Sequence, residues 1–271
     1  MRDAVQSPVP APAVVKPCEK MRFRWSMFAQ MLREPYRLNA SLLVPTVALM
    51  CLVPSYILVG CLVTPSRAVH VPELALDRII PLSPAWSAVY GSHLILVLLP
   101  FLMVRRSELF GRTLQAYLLV WSVSLLCFLL YPTVASRPAK VVGEGFFAWL
   151  LGIIYRVDPP YNCFPSLHVA HTLVSAFACW QVHRGVGIGL GVWAWLIGLS
   201  ALFTKQHYAV DVVAGFLVGI ISYFIFLRRP PREAVPEFDR CIAPYVALIF
   251  VGAYGVSLAG FWVAYRLQLR P

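Results

Sequence analysis

Seven long stretches of this 271-residue chain run almost without charge, and that pattern leaves it few ways to fold. A bilayer's hydrocarbon core is about 30 Å thick, so a helix rising 1.5 Å per residue needs about 20 apolar residues to cross it. The runs cover residues 41–63, 85–104, 114–131, 167–182, 186–204, 208–227 and 241–265. The fourth is the shortest and carries His168 and His171. A ten-residue run, Phe146 to Tyr155, is too short to span and reads as interfacial or re-entrant. Charged residues make up 13% of the chain, where a soluble domain carries about 25%, and 59% of the residues are hydrophobic. Such a surface cannot face water, so the expected fold class is all-α, a polytopic membrane helix bundle. The same composition excludes a disordered chain, a disulfide-built secreted scaffold and a nucleic-acid-binding domain. The net charge of +11 belongs instead to the Lys and Arg that collect in cytoplasmic loops.

The first 38 residues hold five prolines and seven basic residues with no apolar core, unlike a secretory signal. They read as a disordered tail ending, at Met21 to Leu38, either in a basic, aromatic interfacial segment or in ordinary flanking charge. With the N-terminus in the cytoplasm, fifteen basic residues fall on the inner side and eight on the outer. That bias predicts an N-in, C-out arrangement and puts the loops at 132–166 and around 205 on the non-cytoplasmic side. The seven cysteines form no CxxC pattern, and only Cys163 and Cys61 stand where an oxidising compartment could reach them. No structural disulfide is expected there.

Ionisable groups inside spans are costly and generally face a cavity or a partner. Asp211 is the only acid in the seven runs, and His93, His168 and His171 are the histidines, with His207 one residue before the sixth run. His207 and Asp211 are four apart, which on a helix sets them on one face about 6 Å apart. A carboxylate holding one imidazole nitrogen leaves the other free to attack or to exchange protons. The second cluster is Asn162-Cys163-Phe164-Pro165-Ser166-Leu167-His168. Pro165 suits the first turn of a helix, so Ser166 and His168 are expected in the first turn of span four, where free N–H groups and the dipole favour an anion. The plainer alternatives are a capped helix start with an incidental histidine, and a helix-entry His beside a dipole-favoured Asp. Both clusters open a helix on the same predicted side. Two imidazoles, one acid and two helix N-termini suit phosphoryl transfer, with one ring attacking phosphorus and the other protonating the leaving oxygen. Arg137, Lys140 and Lys205 supply cations on that face.

In order and spacing, residues 137–215 resemble the membrane branch of the type 2 phosphatidic acid phosphatase (PAP2) superfamily: Arg137-Pro138, then Pro165-Ser166-Leu167-His168, then His207 to Asp211 with Gly215 following. The resemblance implies a six-helix catalytic core over residues 39–240, preceded by the segment 1–38 and followed by an additional transmembrane helix and short tail, 241–271. It implies His207 as the nucleophile forming a phosphohistidine, Asp211 as its orienting acid and His168 as general acid. Arg137, Ser166, Lys205 and Lys140 would bind the substrate phosphate. The substrate would be a lipid phosphate or phospholipid, with no cofactor, no metal and no nucleic-acid partner. Two positions depart from the family pattern: the Ser-Arg pair reads Ser200-Ala201, and the Lys seven residues before Arg137 is Leu130. Lys205 is the candidate replacement cation. Thr204-Lys205-Gln206-His207-Tyr208 is similar to the inositol phosphorylceramide synthase and sphingomyelin synthase side of the superfamily, which implies head-group transfer to a lipid hydroxyl.

Other features carry less. Gly185, Gly187, Gly189 and Gly191 follow no strand and read as close helix packing. His93 reads as a lone histidine bonded to a neighbouring helix, and His171 either lines the pocket or packs. The competing class is a transporter or lipid-binding protein using the His/Asp cluster as a proton relay. No inverted repeat is visible between the halves to favour it.

Overall fold

The computed structural model describes residues 43–62 and 69–268, apart from 139, 140, 142, 230 and 233, together with residue 29. The basic N-terminal segment and Lys140 therefore lie outside the described residues. Within them the regular structure is helical: α1 (Leu43–Leu62), α2 (Ala75–Ile79), α3 (Ser87–Gly91), α4 (His93–Met103), α5 (Ser107–Leu130), α6 (Phe146–Val157), α7 (Leu167–Val182), α8 (Arg184–Phe203), α9 (Ala209–Ser222) and α10 (Glu237–Gln268). A short helical turn, Pro84–Trp86, leads into α3, and α9 ends in a wider turn, Tyr223–Leu227.

Among the described residues, five helices are long and apolar enough to cross a bilayer: Pro84–Met103, Ser107–Leu130, Arg184–Phe203, Ala209–Leu227 and Glu237–Gln268. The chain is a multi-pass integral membrane protein. Helices also stand where the first and fourth runs predict spans; α1 has 20 residues with a shorter apolar stretch, and α7 has 16. The apolar stretch of α1 is Thr46–Gly60. The 16 residues of α7 rise only about 24 Å. The packing explains how α7 manages with so few. It is the central helix, packed against α4, α5, α8 and α9, and Val169, Ala170, Thr172, Val174, Ala178 and Cys179 are fully covered. A helix walled in by protein does not need to match the thickness of the lipid. The ten-residue run is the surface helix α6, and the last run extends to the 32-residue α10.

Two glycines set how closely α9 lies on α7. A β-carbon on Gly215 would stand 2.6 Å from the Ser166 carbonyl oxygen, and one on Gly219 would stand 3.0 Å from Leu173 Cδ2. Of the alternating glycines in α8, only Gly187 answers to the expected close packing, at the α7–α8 corner. There a β-carbon would meet Trp180 Cα at 2.5 Å, whereas Gly189 and Gly191 have nothing within 4 Å.

At one end of the bundle the connecting segments are tied together. His70 N–H donates to the Pro132 carbonyl and Val134 N–H to that of His70, while Ala135 N–H donates to Pro160. The buried Thr133 hydroxyl accepts from Cys163 N–H at 3.1 Å and Phe164 N–H at 3.0 Å. These bonds fix the chain just before α7. At the other end, a buried ion pair joins Arg105, between α4 and α5, to Asp239 in the first turn of α10, at 3.2 Å.

Candidate active site

His168 is the second residue of α7, and His207 lies in the turn between α8 and α9. The two helices start at the same end of the bundle, and their rings meet: His168 Nδ1 is 3.2 Å from His207 Nε2. Each imidazole is nearly enclosed.

Both helix starts differ from the sequence expectation. Ser166 is the N-cap of α7 rather than part of its first turn, because its N–H donates outward to the Asp211 carbonyl at 3.0 Å. Pro165 therefore precedes the helix. Its neighbour Ser166 keeps a fully buried hydroxyl with no partner among the described residues. His207 is not helical either, since α9 starts at Ala209. The turn before it closes α8 with Lys205 at φ +53°, an αL cap made without glycine, and with Gln206 and His207 N–H both donating to the Ala201 carbonyl. Alanine thus stands directly beneath the His207 backbone, where the family pattern has arginine.

The tautomer of His207 follows from its partners. Nδ1 lies 3.0 Å from the Cys163 carbonyl oxygen, which can only accept, so Nδ1 carries the hydrogen and Nε2 carries the lone pair. Asp211 Oδ2 is 3.6 Å from the same Nδ1 and accepts the Tyr208 N–H at 2.9 Å. The acid therefore caps α9 and places negative charge beside the ring, while the Cys163 carbonyl makes the shorter contact. Since His207 Nε2 accepts, His168 Nδ1 is the donor in the bond between the two rings.

The other edge of His168 faces groups with no local motif. The Tyr90 hydroxyl is 3.1 Å from His168 Nε2, 3.2 Å from its Nδ1 and 2.9 Å from Asp158 Oδ2, and the Tyr56 hydroxyl holds Asp158 Oδ1 at 3.0 Å. Asp158 Oδ2 itself is 3.8 Å from His168 Nε2. His93 is not the lone span histidine the sequence suggested. Its Nδ1 bonds the Tyr90 carbonyl within its own segment, and its ring packs edge-on against His168 with centroids 4.2 Å apart. His171 packs between Tyr117 and Trp121, with centroid separations of 5.6 and 5.2 Å.

The expected phosphate-binding cations have other partners. Arg137 donates from its two terminal nitrogens to the Asp158 and Pro159 carbonyls, at 2.6 and 3.2 Å, and lies over the Tyr155 ring. Its buried Nε has no partner among the described residues. Lys205 Nζ donates to the Asp77 and Ile80 carbonyls at 2.8 and 2.6 Å, pinning α2 to the turn before His207. Asp77 Oδ1 in return accepts the Ala209 N–H at 2.8 Å. Beside His207 is a cavity of about 310 Å³, bordered by Tyr208, Ser136, Lys205, Arg78 and Glu73.

Cys163 Sγ, a His207 nitrogen and an Asp211 oxygen lie within 4.8 Å of one another, the spacing of metal ligands. The donor set argues against that use. Burial pushes the Cys163 thiol far above its ordinary range, and its S–H donates to the Pro160 carbonyl at 3.3 Å, whereas a metal takes the thiolate. Cys163 is also a free cysteine.

Parts of the chain are similar to known proteins. An undecaprenyl-diphosphatase, BcrC, of Bacillus subtilis (strain 168) is 31% identical over 86 residues, 32% of this chain and 40% of that protein. A bacitracin transport permease protein, BcrC, of Bacillus licheniformis is 30% identical over 82 residues, 28% of this chain and 38% of the relative. The chain thus spans about two fifths of the length of these curated relatives. Neither is a sphingolipid synthase, so the leaning of the Thr204–Tyr208 motif toward that branch has no support from them. No solved structure matches the chain. The model of the PAP2 superfamily matches residues 70–225, which include both imidazoles, Asp211, Ser166, Arg137 and Lys205, and the chain belongs to that superfamily.

Proposed function

We propose that this protein is a membrane phosphatase that hydrolyses a lipid phosphate or lipid diphosphate through a phosphohistidine on His207. The observation that carries the reading is the 3.2 Å contact between an Nε2 lone pair on His207 and a proton-bearing Nδ1 on His168. That is the arrangement of a nucleophile beside its acid. A phosphoryl group entering between the rings displaces their hydrogen bond. His207 Nε2 then forms a bond to phosphorus as the P–O bond to the leaving group breaks, and a doubly protonated His168 gives its Nδ1 proton to the leaving oxygen, which leaves that ring neutral with its Nε2–H. In the second step water attacks phosphorus, the N–P bond breaks, and His168 takes the water's proton. Asp211 stabilises the positive charge on His207, and the Ser166 hydroxyl and Arg137 Nε are donors for the phosphoryl oxygens. Lys205 keeps one N–H beyond its two carbonyl bonds, and Lys140 belongs to the same set by sequence.

A lipid diphosphate such as undecaprenyl diphosphate is the favoured substrate, by similarity to the Bacillus subtilis relative. The charge bias of the loops supports a site on the non-cytoplasmic face, and the bacterial relatives support a bacterial inner membrane. The test is phosphate release from undecaprenyl diphosphate by purified protein in detergent, with and without chelator. Release is expected to survive chelation and to vanish in His207→Ala. Turnover persisting in that variant would remove the phosphohistidine, and dependence on an added metal would overturn metal independence.

A further inference from the structure

The acid nearest the general acid, the partly buried Asp158, has no part in the two steps just described. The geometry points to Asp158, acting through the Tyr90 hydroxyl, as the positioning residue for His168, so that each imidazole of the site has its own carboxylate. The assignment rests on the hydrolase reading and adds to it a second, independent pair.

His168 must present a proton at Nδ1, toward His207 and the substrate, in every turnover. That requires the ring's other nitrogen to be held in a fixed partnership, as the far nitrogen is in acid–base triads generally. Tyr90 supplies it. Its hydroxyl proton goes to Asp158 Oδ2 at 2.9 Å, which leaves the hydroxyl oxygen as an acceptor for His168 Nε2–H at 3.1 Å; the same oxygen is 3.2 Å from Nδ1, whose proton goes to His207. When His168 takes a proton from water in the second step, its Nε2–H donates to Tyr90, and the positive charge faces the Asp158 carboxylate at 3.8 Å. In each turnover only the Nδ1 proton is exchanged, lost to the leaving oxygen and regained from water, while the Nε2 proton stays on the ring. Tyr90 moves nothing and only transmits the carboxylate's orientation.

The surroundings show Asp158 held for this task. Tyr56 on α1 occupies its other oxygen at 3.0 Å, and Arg137 clamps the backbone at Asp158 and Pro159. The Arg-Pro motif thus holds the acid's loop in place. The remaining ionisable neighbour on that edge, His93, bonds the Tyr90 carbonyl and packs on the ring without offering it a charge partner.

The test compares two phosphate monoesters on full-length protein in detergent. Farnesyl phosphate loses an alkoxide that must be protonated, and 4-nitrophenyl phosphate loses a nitrophenolate that needs no proton. Asp158→Asn and Tyr90→Phe are each expected to lower kcat on farnesyl phosphate by about a hundredfold, within the range of general acid catalysis, with KM little changed. On 4-nitrophenyl phosphate the burst of nitrophenolate, which reports the first step alone, should stay within about threefold of wild type in both, and Asp158→Glu should regain part of the loss on farnesyl phosphate. Turnover of the nitrophenyl ester also reports that each variant is folded. Equal losses in the first step on both substrates, or no loss on either, overturn the assignment and leave Asp158 a brace for its loop. A wild-type protein that releases phosphate from neither these esters nor undecaprenyl diphosphate, or His207→Ala that still does, overturns the hydrolase reading first and this one with it.

Discussion

The Asp211 side chain does two jobs that one substitution separates. Asn at this position still offers an oxygen to the Tyr208 N–H, now held at 2.9 Å, but removes the charge 3.6 Å from His207 Nδ1. Asp211→Asn is therefore expected to keep its thermal unfolding midpoint while kcat on a lipid diphosphate falls by about a hundredfold or more, since the imidazolium formed at His207 loses its counter-charge. Asp211→Ala should lose the cap as well, at about 1 kcal/mol. Wild-type turnover in the Asn variant would take the carboxylate out of the chemistry. His168, His207 and Asp211 are legible in sequence because each sits at a short, fixed spacing from the start of an apolar run. Tyr56, Tyr90, His93 and Asp158 are not. They reach His168 or its carboxylate partner from α1, α3, α4 and the end of α6, and a contact formed by packing has no local spacing to read. The one available signal was an acid, Asp158, directly after an apolar segment too short to span.

At the scale of elements, the apolar runs forecast the helices closely, while the connections escaped them. The turn at Thr204 to Tyr208 has no glycine, yet Lys205 takes the left-handed conformation that closes α8. Nothing in the run lengths shows that α2 docks there. Lys205 makes two charge-assisted bonds to carbonyls of α2 or the residue after it, each worth about 1.5–3 kcal/mol. Lys205→Ala is accordingly expected to lower thermal stability in detergent by several degrees and to loosen the His207 turn. Unchanged stability with a raised KM would instead return this side chain to phosphate binding. The α7–α9 pair makes a sharper case. Gly215→Ala puts a methyl 2.6 Å from the Ser166 carbonyl oxygen, and α9 must move to make room. Because Ser166 N–H bonds the Asp211 carbonyl across this contact, the displacement should reach both imidazoles. Reduced kcat together with a lower unfolding midpoint is the expected result, and a silent Gly215→Ala would show that the close approach is not required.

Across the whole molecule, the sequence offers no account of the last helix, and the packing supplies one. α10 lies against α4 and α6 with much of its length exposed to lipid. Tyr254 donates to the Ala88 carbonyl, and Trp149 of α6 bonds Gln268 at 2.6 Å and packs on Tyr265. It thereby braces α3 and α6, which lead to Tyr90 and Asp158. A further attachment is at the far end of the bundle, where Arg105 and Asp239 form an ion pair with both side chains about 8% exposed. Removing one partner of such a pair leaves a buried charge and typically costs about 3–5 kcal/mol, while replacing both with apolar groups of similar size is often close to neutral. Arg105→Met and Asp239→Leu should therefore each lower the unfolding midpoint sharply, and the double variant should recover most of the loss. If the brace also serves the site, kcat on a lipid diphosphate should follow the same order, low in the single variants and restored in the double. Single variants of full stability would show that the pair does not anchor α10. Restored stability without restored turnover would separate the anchor from the site it is argued to support.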